Sequence, residues 1–256
     1  MHTKFSITSN VRNFLAAVNA VEKRGAEEAC LMVVDGLPGL GKSRTLKWWA
    51  VHNGALRIEA QPRWTVAWML REMLEKLDPK IKPFRSMERL TKQVFEALAK
   101  RHREMAARGS SFGVVIDEAE PVVRDKEMIE TLRLALSDRL EIPFILAGMD
   151  EIRSDLIRVT PQAASRVSQY LEFHPATLED TVLLTRDLCE VEVRDDLVAF
   201  LHKASAGFVR EIKEGLKSIE RFGKNNPGPV GIAEMDDHHL LNDRKTGKSI
   251  LVKSQK

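Results

Sequence analysis

The sequence predicts an α/β fold, in which a parallel sheet is flanked by helices and followed by a small helical subdomain. Short apolar, β-branched runs such as CLMVV at residues 30–34 are typical of strands buried on both faces. Segments with helical spacing separate these runs, and strands that alternate with helices form mostly parallel sheets. After YLEF at residues 170–173 the pattern is helical only.

The elements follow from these patterns in chain order. Strands are expected at residues 30–34, 56–60, 112–116, 142–147 and 170–173. Helices are expected at residues 10–24, 46–51, 64–77, 87–108, 126–136, 178–190, 194–204 and 208–222. Gly25 ends the first helix, and Pro79 and Pro83 mark residues 78–83 as a loop.

The chain is therefore expected to have four parts. Residues 1–28 hold an N-terminal helix, residues 29–175 the α/β domain, residues 176–222 the helical subdomain and residues 223–256 a basic tail. The tail has NPGP, paired histidines and scattered lysines without periodicity. It is expected to be flexible unless a partner orders it.

Composition excludes several classes of protein. A chain of 256 residues with 43% hydrophobic content can bury a sizeable core, so disorder throughout is excluded. No long apolar run predicts a membrane span or secretory signal, so a cytoplasmic protein without a membrane partner is expected. Cys30 and Cys189 are far apart and without clustered histidines, which favours buried thiols over a disulfide or zinc site. A net charge of +3 permits nucleic-acid binding but does not argue for it.

The stretch DGLPGLGKSRT at residues 35–45 predicts a phosphate-binding loop. It matches GxxxxGK[ST] and lies between a buried strand and a helix, as that loop requires. Glycines turn backbone N–H groups toward the phosphates of ATP, Lys42 reaches the β- and γ-phosphates, and the Ser43 hydroxyl binds Mg²⁺. The expected nucleotide-binding residues here are Gly36, Pro38, Gly39, Leu40, Gly41, Lys42, Ser43 and Arg44.

A second Gly-Lys-Ser lies in KTGKS at residues 245–249. It does not fit the motif, because Asn242 stands where the first glycine should be and no buried strand precedes it. Lys248 and Ser249 are therefore expected in a solvated basic tail.

The run FGVVIDE at residues 112–118 has the form of a Walker B segment, a strand that ends in two carboxylates. Asp117 would hold Mg²⁺ through water, and Glu118 would polarise the water that attacks the γ-phosphate. The second acid indicates hydrolysis rather than phosphoryl transfer between nucleotides. The alternative is that both acids cap the helix that follows.

Two arginines and four tryptophans leave alternatives open. Arg166 precedes a strand, where a loop can direct it to a neighbouring subunit's γ-phosphate, and Arg210 begins a helix that can cover the nucleotide. Spacing alone favours an ordinary surface arginine at each position. The tryptophans at positions 48, 49, 64 and 68 favour core or subunit-interface packing over base stacking.

Taken together, GLPGLGKSRT, VVIDEAE, PFILAGMDEI, SRVSQYLEF and AGFVREI resemble, in that order, the AAA+ ATPases of the MuB, TnsC, TniB and ExeA group. The resemblance covers about residues 29–222 and is nearest to the phage MuB-like transposition proteins. The Walker segments are specific only to P-loop ATPases, and the IDEAE start, the LxG strand end and the GxxR helix narrow the choice.

The resemblance implies an ATP-dependent ATPase that oligomerises on double-stranded DNA as a ring or filament, selects transposition targets and stimulates a transposase, in a bacterial or phage-infected host cytoplasm. It makes Arg166 the expected arginine finger and Arg210 the second sensor. Lys80, Lys82 and Arg85 stand where relatives carry basic residues, and they would contact DNA phosphates with little sequence preference. A solvated proline-rich loop explains these three residues equally well.

The sequence departs from the group at two places. Relatives place Asn or Thr after the glycine of LxG, whereas this chain has Met149, so either Asp150 orients the attacking water or hydrolysis is slow. Residues 1–28 are too few for the DNA-binding module of some relatives, so the ATPase ring or the tail is expected to contact DNA. The alternatives are an ExeA-like secretion or assembly ATPase and a nucleotide-dependent switch that binds protein.

Overall fold

Five strands form a parallel sheet in the computed structural model, which describes residues 1–23 and 30–254. The strands are β1 (Leu31–Asp35), β2 (Leu56–Glu59), β3 (Val114–Asp117), β4 (Phe144–Ala147) and β5 (Val167–Glu172). Their spatial order is β2-β3-β4-β1-β5, and every neighbouring pair is parallel. The predicted α/β class with a parallel sheet is confirmed. Each of the five strands overlaps the range expected for it.

Helices precede, connect and follow the five strands, and the connecting ones are needed because parallel neighbours require a crossover longer than a tight turn. They are α1 (Ser9–Glu22), α2 (Lys42–Asn53), α3 (Val66–Leu77), α4 (Met87–Ala106), α5 (Glu120–Val123), α6 (Lys126–Glu130), α7 (Asp138–Leu140), α8 (Ile152–Val159), α9 (Pro161–Ala164), α10 (Leu178–Leu188), α11 (Asp195–Ser205) and α12 (Val209–Gly223). The expected stop of the first helix at Gly25 lies outside the described residues.

Some predicted helices differ in detail, and the second of them begins at Lys42 rather than at residue 46. The third begins at Val66 rather than at residue 64, because the Thr65 hydroxyl accepts a hydrogen bond from the Trp68 N–H and caps the helix. The helix expected at residues 126–136 is α6 followed by a π-helical segment, Thr131–Ser137, and then α7. Apolar periodicity does not distinguish these hydrogen-bond patterns.

The chain forms two compact units. The sheet unit consists of Phe14–Leu37 and Lys42–Phe173, and the helical unit consists of Met1–Asn13, Pro38–Gly41 and His174–Lys256. In the sheet unit, β1, β3 and β4 are buried along their whole length. This burial explains why these strands read as continuous apolar runs rather than alternating ones.

The helical unit packs α10, α11 and α12 with a two-stranded hairpin, β6 (His239–Asn242) and β7 (Ser249–Leu251). Thr177 and Asp180 form a capping box that begins α10. The core of this unit includes Val230, Met235, Leu240, Leu241 and Val252, each no more than 2% exposed.

The expectation of a flexible tail from residue 223 therefore differs from the structure, in which the segment up to residue 254 is folded. In the sequence, a charged turn separates the apolar residues that form this part of the core. Leu240 and Leu241 precede it, Val252 follows it, and the hairpin brings these apolar residues to one core. Strands of three or four residues are too short to show a clear period.

The expectations for the cysteines, the tryptophans and membrane-spanning segments concern individual residues and helices. Cys30 and Cys189 are both buried, as expected. Trp49 and Trp64 are core residues, while Trp68 is 49% exposed. Within the described ranges, no helix combines the length and apolar character that crossing a membrane requires.

Candidate functional site

Polar residues of the sheet unit gather where β1, β3 and β4 end. Asp35 and Asp117 are the last residues of β1 and β3, and Gly148 follows β4 directly. Since these strands are parallel, their carboxyl ends lie at one edge of the sheet, where α/β proteins commonly bind ligands.

The loop after β1 has a backbone that only glycine adopts readily. Gly36 has φ +128°, and a Cβ built on it would lie 2.6 Å from the Phe173 carbonyl oxygen. Gly39 and Gly41 also have positive φ, at +93° and +99°. The chain therefore turns tightly between β1 and the first residue of α2, Lys42.

The Lys42 ammonium group folds back over this loop. Its Nζ donates to the carbonyl oxygens of Gly36 and Leu37, the latter at 3.0 Å. Burial lowers the pKa of Lys42, and the negative charges of Glu118, Asp117, Glu120 and Asp35 oppose that shift. Of the other expected loop residues, Leu40 is buried, while Ser43 and Arg44 are exposed.

Asp117 connects the phosphate loop to β2. Its Oδ1 accepts a hydrogen bond from the Ser43 hydroxyl at 3.3 Å, and its Oδ2 accepts from Arg57 Nη2 at 2.5 Å. The residue is only 3% exposed, so the carboxylate is held in a defined orientation by partners from two elements. Sequence analysis missed Arg57, and only its period-two position in LRIE, facing the same side of β2 as Glu59, could have indicated it.

Glu118 lies just beyond β3 in a left-handed backbone conformation, with φ +52°. Its side chain is exposed, and partial burial followed by the charges of Glu120 and Asp117 raises the pKa of its carboxyl group. Helix α5 has Ala119 at its N-cap position and no side-chain cap, so the two acids do not act as helix caps. Backbone strain of this kind is found most often at functional sites.

The segment after β4 lacks a polar side chain at Met149, as the sequence indicated, and Met149 is 43% exposed. Asp150 beside it is also exposed. The Met149 backbone N–H donates to Glu120 Oε1 at 2.5 Å. Glu120 is a second residue that sequence analysis missed, although it is the third acid of the IDEAE run.

Two observations test whether this edge suits a nucleotide with magnesium. Asp35 Oδ1 is buried without a hydrogen-bond partner, and burial raises the pKa of this carboxyl group. No described group of three His, Cys, Asp or Glu residues suits a metal ion. Mg²⁺ usually takes one or two protein ligands and completes its shell with phosphates and water, which the Ser43–Asp117 pair fits.

The predicted arginines lie in different units. In the helical unit, the Arg210 backbone N–H donates to the Gly39 carbonyl oxygen at 3.1 Å, so the first turn of α12 contacts part of the phosphate loop. The Arg210 side chain is exposed. In the sheet unit, Arg166 is exposed and directly precedes β5.

The basic loop between α3 and α4 has a defined conformation. Gln93 holds it by accepting from the Phe84 N–H at 2.9 Å and donating to the Lys82 carbonyl oxygen at 3.1 Å. Lys80, Lys82 and Arg85 are all exposed on this loop.

A family model of known proteins matches the part of the chain that contains this site. The AAA domain family model (AAA_22) matches residues 25–156, which is more than half of the 256-residue chain. No curated protein sequence matches the chain.

Solved structures share the fold at low sequence identity. The Walker-type ATPase of Pyrococcus abyssi has a TM-score of 0.62 and 17% identity, with 86% of this chain and 69% of that chain covered. Orc1 of Aeropyrum pernix in complex with DNA has 0.54 and 15%, with 86% and 60% covered. RuvB of Thermotoga maritima, a Holliday junction branch migration motor, has 0.50 and 18%, with 84% and 62% covered. The chain thus spans about three fifths of the Orc1 and RuvB chains.

Proposed function

The chain belongs to the AAA domain family of ATPases, and from this premise we propose an ATP-dependent DNA-binding ATPase that oligomerises on double-stranded DNA. In this proposal ATP binding assembles the oligomer and hydrolysis releases it. The observation that carries the proposal is the Ser43–Asp117 contact of 3.3 Å, with Lys42 at the same edge of the sheet.

Different residues at this edge of the sheet are proposed to bind the phosphates and the magnesium ion. The loop N–H groups and Lys42 would bind the phosphates, while the exposed Ser43 hydroxyl and the buried Asp117 carboxylate would hold magnesium. Magnesium would supply positive charge that stabilises the charge developing on the phosphates. Arg57 keeps the Asp117 carboxylate in place through its 2.5 Å contact with Oδ2.

Glu118 is the group placed to activate water. Its exposed carboxylate lies one residue beyond Asp117, where it can accept a proton from water. In the proposed reaction it orients a water whose oxygen attacks the γ-phosphorus of ATP, and the bond to the β-phosphate oxygen breaks. The products are ADP and phosphate.

Arg166 is proposed to act on the nucleotide of a neighbouring subunit. Its exposed position before β5 leaves the guanidinium accessible to a second copy of the chain. Arg166→Ala should abolish hydrolysis and leave ATP binding to a single subunit unchanged. Mixing it with Lys42→Ala subunits tests this, because activity should return only where intact residues from two subunits meet; mixtures without activity would contradict the shared site.

DNA binding is supported by the shape and charge of the α3–α4 loop. Gln93 fixes the backbone, so Lys80, Lys82 and Arg85 project from a loop whose conformation does not have to be ordered on binding. Contacts of ammonium and guanidinium groups with phosphates carry no sequence information, so sequence-independent binding is proposed. Orc1, which is similar in fold, was solved in complex with DNA.

We further propose that the oligomer marks targets for a transposase and stimulates it. This step derives from the likeness of the motifs, from GLPGLGKSRT to AGFVREI, to transposition ATPases. Strand transfer by the transposase of the same mobile element should rise when the ATP-bound protein is added. No increase with wild type, in the presence of demonstrated DNA binding, would contradict this role.

The decisive experiment is a titration of duplex DNA of mixed sequence at several salt concentrations, with ATP, with ADP and without nucleotide. Affinity should be highest with ATP and should fall steeply with salt. Lys42→Ala is the matched control, since it should remove the ATP dependence. DNA binding that ignores nucleotide, or none at low salt, would instead favour the secretion ATPase or the protein-binding switch.

A further inference from the structure

The segment after β4 lies beside the proposed reacting groups but has an apolar side chain, Met149, at this position. It follows the strand that pairs with both β1 and β3, so it lies at the edge that carries the phosphate loop and Glu118. Met149 occupies this segment and is 43% exposed, yet a thioether is at best a weak acceptor. Some other group has to hold this segment in register with the reacting groups.

The Glu120 carboxylate holds the segment. Glu120 Oε1 accepts the Met149 backbone N–H at 2.5 Å, and the neighbouring Ala119 N–H donates to the Ala147 carbonyl oxygen at 2.8 Å. One bond has its donor, and the other its acceptor, in the segment after β3, and both end at Ala147, the last residue of β4, or at Met149 just beyond it. The segment that carries Glu118 is thereby joined to the segment that carries Met149.

Gly148 makes this contact possible. A Cβ on Gly148 would lie 2.5 Å from Glu120 Oε1 and 2.8 Å from Ile152 Cδ1, so any other residue would displace the carboxylate. The Gly148 N–H donates to the Val34 carbonyl oxygen at 3.0 Å, two residues before the phosphate loop begins. One short segment is therefore hydrogen-bonded to both β1 and the Glu120 carboxylate.

This arrangement has an electrostatic cost. The negative charge of Glu120 is among the causes that raise the pKa of Glu118, so the two carboxylates repel each other. A neutral side chain with an acceptor oxygen could bind the Met149 N–H without that repulsion.

We propose that Glu120 is a positioning residue for ATP hydrolysis. Through the Met149 backbone it links β4 to the segment that carries Glu118. A polar sensor side chain would otherwise provide this link. The inference rests on the proposed ATPase site. Glu120 acts through the Met149 backbone and the segment beside it and does not itself receive the proton from water.

Two substitutions at Glu120 separate positioning from charge. Glu120→Ala removes the acceptor, and turnover should fall by about 10- to 100-fold, with the Kd for ATP changed less than about 2-fold. Glu120→Gln keeps an acceptor oxygen at the same reach and should retain turnover within about 3-fold of wild type. Glu127→Ala is the matched control, because it removes an exposed acid from the neighbouring helix α6.

The backbone amide signal of Met149, followed by ¹H–¹⁵N spectroscopy without nucleotide, tests the hydrogen bond independently of turnover. It should move in Glu120→Ala and in Gly148→Ala, and remain near its wild-type position in Glu120→Gln. Gly148→Ala leaves every acidic residue in place, so it disrupts the same hydrogen bond by another route if Glu120→Ala folds poorly.

Three outcomes overturn the inference: full turnover in Glu120→Ala, equal loss of turnover in Glu120→Ala and Glu120→Gln, or an unchanged Met149 signal in both disruptive variants. Glu118→Gln distinguishes failure of the Glu120 inference from failure of the proposed ATPase function. If it abolishes turnover while Glu120→Ala does not, only the inference fails. If Glu118→Gln turns over normally, or wild type does not hydrolyse ATP, the proposed function fails and the inference fails with it.

Discussion

The tripeptide Gly-Lys-Ser occurs twice in this chain, and the two copies differ in what the backbone does next. Gly41-Lys42-Ser43 leads into α2, which begins at Lys42, so the motif stands at the N-terminus of a helix. Gly247-Lys248-Ser249 leads into β7, and there the Gly247 N–H donates to the Asp243 carbonyl oxygen at 2.8 Å. The second copy is exposed, and its glycine, with φ +69°, serves a hairpin turn.

A phosphate-binding motif thus depends on the secondary structure that follows it as well as on residue identity. At the start of a helix, the N–H groups and the positive end of the helix dipole are available to an anion. In a hairpin, turn and ladder hydrogen bonds occupy much of the backbone. Three comparisons between the two regions, and one substitution in the helical unit, test this conclusion.

The largest expected difference is between the two lysines. Lys42→Ala should reduce ATP turnover by about 100-fold or more, because it removes a charge aimed at the phosphates. Lys248→Ala should change turnover by less than about 2-fold, since its side chain is exposed in a solvated turn. Steady-state hydrolysis measures both, and a comparable loss in Lys248→Ala would end the distinction.

The next comparison is between two glycines with positive φ. Gly36→Ala should destabilise the sheet unit by about 3 kcal/mol, because the new Cβ would meet the Phe173 carbonyl oxygen at 2.6 Å in addition to the backbone strain. Gly247→Ala has open space and should cost about 1 kcal/mol, from strain alone.

Urea unfolding monitors the first substitution through fluorescence, because all four tryptophans lie in the sheet unit. Circular dichroism monitors the second. Equal losses of stability for the two substitutions would show that the close approach to Phe173 contributes nothing.

A third comparison concerns positive charge rather than the motif. The triple substitution Lys80→Ala, Lys82→Ala and Arg85→Ala should flatten the dependence of log K for DNA on log salt, by about 0.9 for each DNA phosphate that the variant no longer neutralises. The double substitution Lys245→Ala and Lys248→Ala removes exposed charge from the hairpin turn and should leave the slope nearly unchanged. If the slope responds only to the double substitution, the hairpin is the segment that binds DNA.

The smallest expected effect lies in the helical unit that carries the second copy. Lys224 Nζ is 2.7 Å from Glu190 Oε2, and this contact is the main cause that lowers the pKa of Glu190 to about 2. A depressed carboxyl pKa stabilises the folded state above the ordinary glutamate range, and that stabilisation is lost as pH falls through this range toward 2.

Lys224→Met should therefore lower the Tm slightly at pH 7 and by progressively less at lower pH. Thermal unfolding from pH 7 to pH 3 checks this dependence. A difference that grows on acidification would show that the sign of the linkage is wrong.

Much of the site was predictable because its parts are local. The phosphate loop and the Asp117-Glu118 pair are each contiguous, and each is identified by a strand on its N-terminal side. Their partners were not predictable. Asp117 contacts Arg57 and Met149 contacts Glu120, across separations of 60 and 29 residues.

The α/β class, the five strands of the sheet, most helices and the burial of both cysteines follow from the sequence alone, because hydrophobic period and turn chemistry act over a few residues. The phosphate-binding role of residues 36–43 stays a prediction. The tertiary structure alone decided the strand order, the folding of the hairpin beyond residue 223 and the carboxylate that holds Met149. These features depend on which distant segments become neighbours. Backbone N–H groups and apolar side chains take their partners from whatever packing brings within reach, and no local pattern encodes that choice.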